Sequence, residues 1–220
     1  MTERTPSKIY RAHRENQREH ILEVAEHLLV ERGIDMVSLS DIARAARITR
    51  NTLYEYFPNK QEIVWAIFQK FMEAGREGLK EELEQFQGSG FQRIENFMLR
   101  FVDLRMSDTT HLRFIVEFNT LYAREGNPAR VRQMWGAGYD LLAEMFRQGV
   151  ADGSLRADLD PELLSAAMMN LLSGMNSRFA LLGDLIHEEY GQPAADIYRE
   201  ICRAFLRGIQ SNPFTPESIQ

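Results

Sequence analysis

Residues 36–63 read Met-Val-Ser-Leu-Ser-Asp-Ile-Ala-Arg-Ala-Ala-Arg-Ile-Thr-Arg-Asn-Thr-Leu-Tyr-Glu-Tyr-Phe-Pro-Asn-Lys-Gln-Glu-Ile, and this stretch decides the fold. Ser38, with an aspartate three residues later, is an arrangement that caps the start of a helix, so we predict a short helix over about 39–46. After a short break, Thr49 can cap a second short helix over about 50–56. The stretch therefore predicts two short helices joined by a tight turn.

A third and longer helix follows the two short ones. Pro58 breaks the chain, and Asn59 with Glu62 repeats the capping arrangement for a long helix that begins at Lys60. Ala43 keeps the crossing of the two short helices free of a bulky side chain, so they can approach closely at a steep angle. Such a pair is a helix-turn-helix, whose second helix can enter the major groove of duplex DNA.

The side chains around the second short helix are of the types that contact DNA. Arg pairs bidentately with guanine, Asn pairs with adenine, and Thr offers a hydroxyl and a methyl group, whereas Ser, Tyr and Lys suit phosphate oxygens. Thr49 is a helix cap whatever else it does, and the two tyrosines could instead be half-buried packing residues. The predicted DNA contacts are Ser38, Ser40, Thr49, Arg50, Asn51, Thr52, Tyr54, Tyr56 and Lys60.

The rest of the chain shows helical periodicity and almost no strand signal. Apolar residues recur at helical spacing, and proline opens several later segments, where its missing N–H costs no hydrogen bond. The stretch 88–90, Gly-Ser-Gly, is the predicted linker. Further helices are expected over about 15–32, 60–86, 91–106, 109–124, 128–151, 161–183 and 194–210.

Composition and charge exclude several classes of protein. The chain carries 26 Lys and Arg against 32 Asp and Glu, for a net charge of −6, but residues 1–60 carry ten against nine and can still bind phosphates. Cys202 is the only cysteine, so no internal disulfide can form, and the longest apolar run, 63–68, is too short to span a membrane. No catalytic set, phosphate loop or metal-ligand cluster stands out, so we predict no enzyme activity, cofactor or metal.

Residues 15–65 contain an ordered set of features that goes well beyond a lone helix-turn-helix pattern. These features are Ala25, Gly33, Ser38, Ile42, Ala43, Ile48, Thr49, Thr52, Leu53, Tyr54, Tyr56, Phe57, Asn59, Lys60 and Ile63. The set resembles the tetracycline-repressor (TetR) family of bacterial transcription regulators. One position departs from the family pattern, because Arg47 stands where the turn usually has glycine. If that turn needs a positive φ, the arginine costs on the order of 1 kcal/mol.

The resemblance implies an all-α protein in two parts. A three-helix helix-turn-helix domain over 1–60 would bind DNA, and a long helix would join it to a larger helical bundle over 61–220. Residues 1–14 would form either a flexible arm that reaches DNA or a solvated terminus. The expected function is that of a ligand-responsive regulator, most often a repressor, which binds a near-palindromic operator as a homodimer. The basic residues of the N-terminal segment are Lys8, Arg11, Arg14 and Arg18.

The larger part is expected to bind a ligand and a second copy of the chain. Its aromatic and Met residues are mostly core, but a subset facing a cavity would suit a small apolar or aromatic effector. The predicted ligand-binding residues are Phe101, Arg105, Phe118, Asn119, Tyr122, Trp135, Tyr139, Met175 and Asn176. Segment 161–183 is apolar nearly all round and has to be covered on both sides, either by a partner or by the rest of a monomer. The predicted dimer-interface residues are Leu164, Ala167, Met168, Leu171, Met175, Ile201, Phe205 and Ile209.

Two other functions stay open on the sequence alone. One is a helical binding protein that senses or sequesters an apolar ligand without acting on DNA, against which Arg50, Asn51 and Lys60 argue. The other is an all-α enzyme, which has no recognisable catalytic residues behind it. The favoured reading is a cytoplasmic bacterial regulator, bound to the nucleoid when on its operator, with no membrane partner and with an effector that the sequence does not identify.

Overall fold

The computed structural model describes residues 8–85, 88–107 and 110–211, and these residues form an all-α fold. In these ranges there are ten α-helices, and no helix is both long and apolar enough to cross a membrane. The bounds are α1 Lys8–Arg32, α2 Leu39–Ala45, α3 Arg50–Tyr56, α4 Lys60–Gln85, α5 Gly90–Ser107, α6 Thr110–Glu125, α7 Pro128–Ala151, α8 Pro161–Leu182, α9 Leu185–Tyr190 and α10 Ala194–Ile209.

The predicted helices are confirmed, with two differences. α1 begins at Lys8, about two turns earlier than the apolar pattern indicated, because its first turns carry no apolar stripe. The short helix α9 has no counterpart among the predicted helices. It is enclosed by Gly183 and Gly191, with φ angles of 51° and 66°, and six residues are too few to show a helical period.

The chain folds into two compact units. The first contains the chain up to Phe71 together with Arg113–Glu125, and the second contains Met72–Leu112 and the chain from Gly126 onward. The first unit is therefore larger than the domain over 1–60 that the sequence predicted. The start of α4 and most of α6 belong to the same unit as the N-terminal helices.

Aromatic contacts explain why α6 belongs to the first unit. Phe68 of α4 stacks on Phe118 of α6 with ring centroids 3.6 Å apart, and Trp65 meets Phe118 edge-on at 4.8 Å. The Trp65 indole N–H also donates to Glu125 at 2.7 Å. Phe118 is 1% exposed and lies in the core of the first unit, and its predicted contact with a ligand stays a prediction. Tyr122, another predicted ligand residue, lies against Trp65 with ring centroids 6.3 Å apart.

In the second unit, the first residues of α5 pack against the C-terminal end of α7. Gly90 is buried, and a Cβ built on it would lie 2.2 Å from both the Cα and N atoms of Gly149. The Gly90 N–H donates to Asp152 at 2.7 Å, and the Phe91 N–H donates to the Ser154 hydroxyl at 3.0 Å. The expectation of a linker over 88–90 is therefore corrected at Gly90, which is the first residue of α5 and part of a close helix contact.

The core of the second unit contains three of the residues predicted to form the dimer interface. Met168 is 0% exposed, Ile209 is 4% and Met175 is 8%, so their own chain already covers them. This corrects their assignment to an interface, whereas the predicted contact of Met175 with a ligand stays a prediction. The remaining predicted interface residues are Leu164, Leu171, Ile201 and Phe205, which are half-buried at the edge of this core, and Ala167, which is exposed.

Candidate nucleic-acid interface

Helix α2 begins with the capping box that the sequence predicted. The Ser38 hydroxyl accepts from the Asp41 N–H at 3.2 Å, and the Ser38 N–H donates to the Asp41 carboxylate at 3.0 Å. Hydrogen bonds from the side chain and the backbone of Ser38 lower the pKa of Asp41, so this carboxylate is charged at neutral pH. Arg44 pairs with it at 3.3 Å. Local contacts therefore cap the first turn of α2.

The turn between α2 and α3 contains the strained residue that the sequence pointed to. Arg47 has a φ of 56°, and it is the one non-glycine residue with a positive φ in the described ranges. The turn is closed by hydrogen bonds from the Arg47 N–H to the Arg44 carbonyl at 3.2 Å and from the Ile48 N–H to the Ala43 carbonyl at 3.0 Å. The predicted cost of arginine at this position thus applies to the folded protein.

Replacing Arg47 by glycine is expected to raise the free energy of unfolding by about 1 kcal/mol, because glycine adopts this φ without strain. Thermal and urea unfolding of the two proteins measure the difference. Ala45→Gly is the matched control: Ala45 ends α2 with an exposed side chain, so glycine there should cost about 1 kcal/mol. The two variants are therefore expected to change the free energy of unfolding by similar amounts in opposite directions. Destabilisation by Arg47→Gly would contradict the prediction.

Helix α3 presents polar side chains on a rigid base. The Thr49 hydroxyl caps it by accepting from the Thr52 N–H at 3.1 Å, and Leu53 anchors it with a side chain that is 1% exposed. On the other face, an Arg50 guanidinium N–H donates to the Tyr54 hydroxyl at 2.8 Å. Tyr54 itself is 43% exposed. The helix thus combines one buried side chain with a face that is open to a partner.

The exposed charges around α3 are mainly positive. Arg44, Arg47 and Arg50 are all exposed, and Asn51 lies beside them. Against them stand Asp41, which pairs with Arg44, and the exposed Glu55 at the far end of α3. Of the other predicted contacts, Ser38 is exposed, whereas Ser40, Thr52 and Tyr56 are half-buried. The arrangement suits an anionic partner.

Lys60 fixes the loop that leads into α2. Its ammonium group donates to the carbonyl oxygens of Ile34 at 2.7 Å and Val37 at 2.9 Å, which leaves one N–H for the phosphate contact that the sequence predicted. The Ile34 N–H donates in turn to the carboxylate of Glu117 in α6. Gly33, with a φ of 93°, gives that carboxylate room, since a Cβ on it would lie 3.0 Å from Glu117 Oε1. Sequence reasoning missed Glu117, because nothing near it in the chain signals a partner 83 residues away.

The described part of the second unit contains a groove that one of the predicted ligand residues lines. A groove of about 380 Å³ lies between α7 and α8, and Tyr139 is the predicted residue that lines it, beside Val131, Asp140 and Ser165. Burial raises the pKa of Tyr139. Phe101 and Asn176 are half-buried, Asn119 belongs to the first unit, and the side chains of Arg105 and Trp135 lie outside the described part of the structure. The described residues also include no cluster of three His, Cys, Asp or Glu able to hold a metal ion.

The two crossed helices α2 and α3, with a capped and exposed α3, define a helix-turn-helix DNA-binding protein. The family described as bacterial regulatory proteins, tetR family, matches residues 21–67, and the tetracyclin repressor-like C-terminal domain matches residues 115–194. Together these matches cover more than half of the chain. The chain belongs to the tetR family of bacterial regulatory proteins and is a DNA-binding transcriptional regulator.

Named relatives agree with this assignment. The chain is 26% identical over 159 residues to the HTH-type transcriptional repressor KstR2 of Mycolicibacterium smegmatis, an alignment that covers 68% of this chain and 72% of the repressor. Thermus thermophilus FadR, a repressor solved with lauroyl-CoA, has the same fold: TM-score 0.64, 22% identity, 90% of this chain and 98% of that one. Bacillus subtilis FadR, solved with stearoyl-CoA, gives a TM-score of 0.66 at 16% identity, over 87% and 99% of the two chains.

Proposed function

We propose that this chain is a repressor that binds a near-palindromic operator as a homodimer and leaves it when a small apolar effector binds. The observation that carries the DNA-binding part is α3, where Arg50, Asn51 and Tyr54 are exposed together on a helix with a capped start and a buried anchor. A helix held in this way can enter the major groove without first having to be ordered. It therefore loses little conformational entropy on binding.

Arg50 and Asn51 are proposed to read bases. An arginine can bond both the O6 and N7 atoms of guanine, and an asparagine can bond the N6 and N7 atoms of adenine. The hydrogen bond from Arg50 to Tyr54 uses one guanidinium N–H and restrains the side chain, with its Cζ atom 5.7 Å from the tyrosine ring centroid. Restraint of this kind lowers the entropy that the side chain loses when it meets a base. Thr49, Thr52 and the serines of α2 are proposed to contact phosphates.

Dimerisation is proposed to use the outer faces of α8 and α10. Leu163 and Leu181 on α8 are 67% and 69% exposed, which is unusual for large apolar side chains. They lie on the same helix as the half-buried Leu164 and Leu171, although they were not among the predicted interface residues. Two copies of α3 in a dimer would then reach successive major grooves, about 34–36 Å apart along the duplex.

An effector with an apolar portion is proposed by analogy with two structure neighbours that were solved with lauroyl-CoA and stearoyl-CoA, since the acyl chains of these ligands are apolar. Within this chain, the second unit holds a partly open groove with Tyr139 and Val131 on its walls. An effector releases DNA only to the extent that it binds the released state more tightly than the bound one. We place this activity in the bacterial cytoplasm, where the operator lies, and propose no catalysis.

The test is a gel shift with a 30-base-pair duplex that the wild-type protein selects from a random library. Arg50→Ala is expected to weaken binding to that duplex by about tenfold and to reduce the preference for guanine at one position in each half-site. Arg76→Ala, an exposed arginine on the second half of α4, is the control and should leave binding unchanged. The complex should contain two protein chains per duplex.

Two outcomes would contradict the proposal. If the wild-type protein selects no sequence from the library at moderate salt, it is not a sequence-specific DNA-binding protein. If Arg50→Ala binds the selected duplex as tightly as the wild type, α3 does not read bases in the assigned way. A complex with one chain per duplex would contradict the dimer.

A further inference from the structure

The N-terminal half of α1 extends beyond the region that the family match covers. The match begins at residue 21, whereas α1 begins at Lys8. Arg14 and Arg18 lie in this extension, four residues and about one helical turn apart, so they lie on the same face of α1. The sequence left two readings for this basic segment, namely an arm that reaches DNA and a solvated terminus.

Both arginines contact the end of α3. An Arg14 guanidinium N–H donates to the carbonyl oxygen of Glu55 at 3.3 Å, and its Cζ atom lies 5.8 Å from the ring centroid of Tyr56. The Arg18 Cζ atom lies 4.9 Å from the ring centroid of Phe57, the residue that ends α3. Two independent contacts therefore join the α1 extension to the C-terminal turn of the recognition helix.

Beyond the hydrogen bond from the Phe57 N–H to the Leu53 carbonyl, α3 itself gives this turn little support. The last four carbonyls of a helix have no partner within it, and the helix dipole places partial negative charge there. α3 has only seven residues and no basic residue in its own last turn, and the exposed Glu55 adds a further negative charge. The guanidinium groups of α1 provide both the missing hydrogen-bond donor and the missing positive charge.

We propose that Arg14 and Arg18 are positioning residues that hold the C-terminal turn of α3 in its DNA-reading conformation. They act through α3 and not through contacts with phosphate. This inference rests on the proposed function, since it concerns how tightly α3 binds its own site. Through these two residues, α1 raises the affinity for the specific site more than the affinity for DNA of random sequence.

Salt dependence separates this role from that of a phosphate-binding arm. The slope of log K against log salt is negative, and each phosphate contact that is lost makes it less steep by about 0.9, so loss of two per dimer makes it less steep by about 1.8. A positioning residue changes the affinity at all salt concentrations alike. It also acts in the absence of DNA, because it stabilises the last turn of the free helix.

The experiment compares Arg14→Met, Arg14→Lys and the wild type, with Arg11→Met as the control. Methionine keeps the aliphatic stem but removes the charge and the donors, and lysine keeps the charge and a donor. Arg11 is exposed on the same helix, one turn earlier. The measurements are affinity for the selected 30-base-pair duplex, affinity for a scrambled duplex of equal length, the salt slope of each, and hydrogen exchange of the Phe57 amide in the free protein.

For Arg14→Met we expect about tenfold weaker binding to the selected duplex, unchanged binding to the scrambled one, and salt slopes within about 0.5 of the wild type. The Phe57 N–H, which bonds to the Leu53 carbonyl at 3.0 Å, should exchange about threefold faster. Arg14→Lys should recover most of both losses, and Arg11→Met should match the wild type in every measurement.

A salt slope less steep by about 1.8, with equal losses of affinity for both duplexes, would overturn the inference in favour of a phosphate-binding arm. Unchanged affinity together with unchanged exchange at Phe57 would overturn it in favour of a solvated segment. A lower melting temperature with unchanged affinity would leave only a general stabilising role and would also overturn it. The proposed function fails separately, if the wild-type protein selects no duplex at all.

Discussion

Replacing Gly90 by alanine is expected to lower the free energy of unfolding by about 3 kcal/mol. The new Cβ would lie 2.2 Å from the backbone N and Cα atoms of Gly149, a distance that no real contact allows. Backbone atoms cannot move aside as a side chain can, so α5 and α7 would have to separate and leave the core beneath them less well packed. Asp152 and Ser154, which bond the first two N–H groups of α5, would lose their alignment as well.

Calorimetry or thermal circular dichroism should show a melting temperature roughly 6–12 °C lower, given about 2–4 °C per kcal/mol for a chain of this size. Gly75→Ala in α4 is the matched control, because a Cβ at Gly75 meets nothing within 4 Å and its position is exposed. There alanine should stabilise the helix by about 0.5–1 kcal/mol. An unchanged melting temperature for Gly90→Ala would show that α5 and α7 do not approach so closely in solution.

Replacing Lys60 by methionine is expected to lower the free energy of unfolding by about 2 kcal/mol, since the carbonyl oxygens of Ile34 and Val37 lose their donor. Methionine keeps most of the apolar stem, so the change isolates the loss of the ammonium group. The loop that leads into α2 would loosen, and operator affinity should fall with it. Urea unfolding at neutral pH measures the stability, and a gel shift measures the affinity.

Lys70→Met on the same helix is the control. Lys70 pairs with Glu19 on α1 in a site open to solvent, and such pairs contribute about 0–1 kcal/mol. Equal stability losses for the two variants would contradict the loop-fastening role of Lys60. The salt slope of operator binding tests separately the sequence-based prediction that Lys60 contacts phosphate. If it does, the Lys60→Met variant should have a slope less steep than that of the wild type by about 0.9 for each chain.

Local signals predicted most of the helices because helix caps are set by neighbouring residues. The capping box of Ser38 and the caps at Thr49 and Asn59 involve partners three residues away, so their hydrogen bonds can be anticipated from spacing. Pro128 and Pro161 open α7 and α8 for the same local reason. The positive φ of Arg47 could also be anticipated, because it stands where the family usually has glycine.

Long-range contacts could not be predicted in this way. The carboxylate of Glu117 meets the Ile34 N–H across 83 residues, and no pattern around either residue announces the other. The stretch 88–90 was predicted to be a linker, whereas Gly90 in fact lies close to Gly149. Glycine is found equally in loops and in close packing contacts, so its presence alone does not distinguish them. Only the folded backbone distinguishes the two meanings.

The site was predicted unevenly for a related reason. α3 is short, polar and exposed, so most of its contacts follow from residue type, and their roles on DNA stay predictions. α8 is apolar nearly all round, and its sequence alone does not tell which side faces its own core. Met168 lies in the core of its own chain, whereas Leu163 and Leu181, which were not among the predicted interface residues, are large exposed apolar residues.

Because Arg113–Glu125 belongs to the first unit, that unit cannot be separated from the rest of the chain by a single cut. A DNA-reading module excised from this chain at residue 71 would lack Phe114 and Phe118, so the aromatic rings of Trp65 and Phe68 that pack against Phe118 would be exposed to water. Chimaeras that exchange sensors between related regulators therefore need three crossover points, after residues 71, 112 and 125, rather than one. The segment that contains Glu117 has to be transferred together with residues up to Phe71, although the more than forty residues between them belong to the second unit.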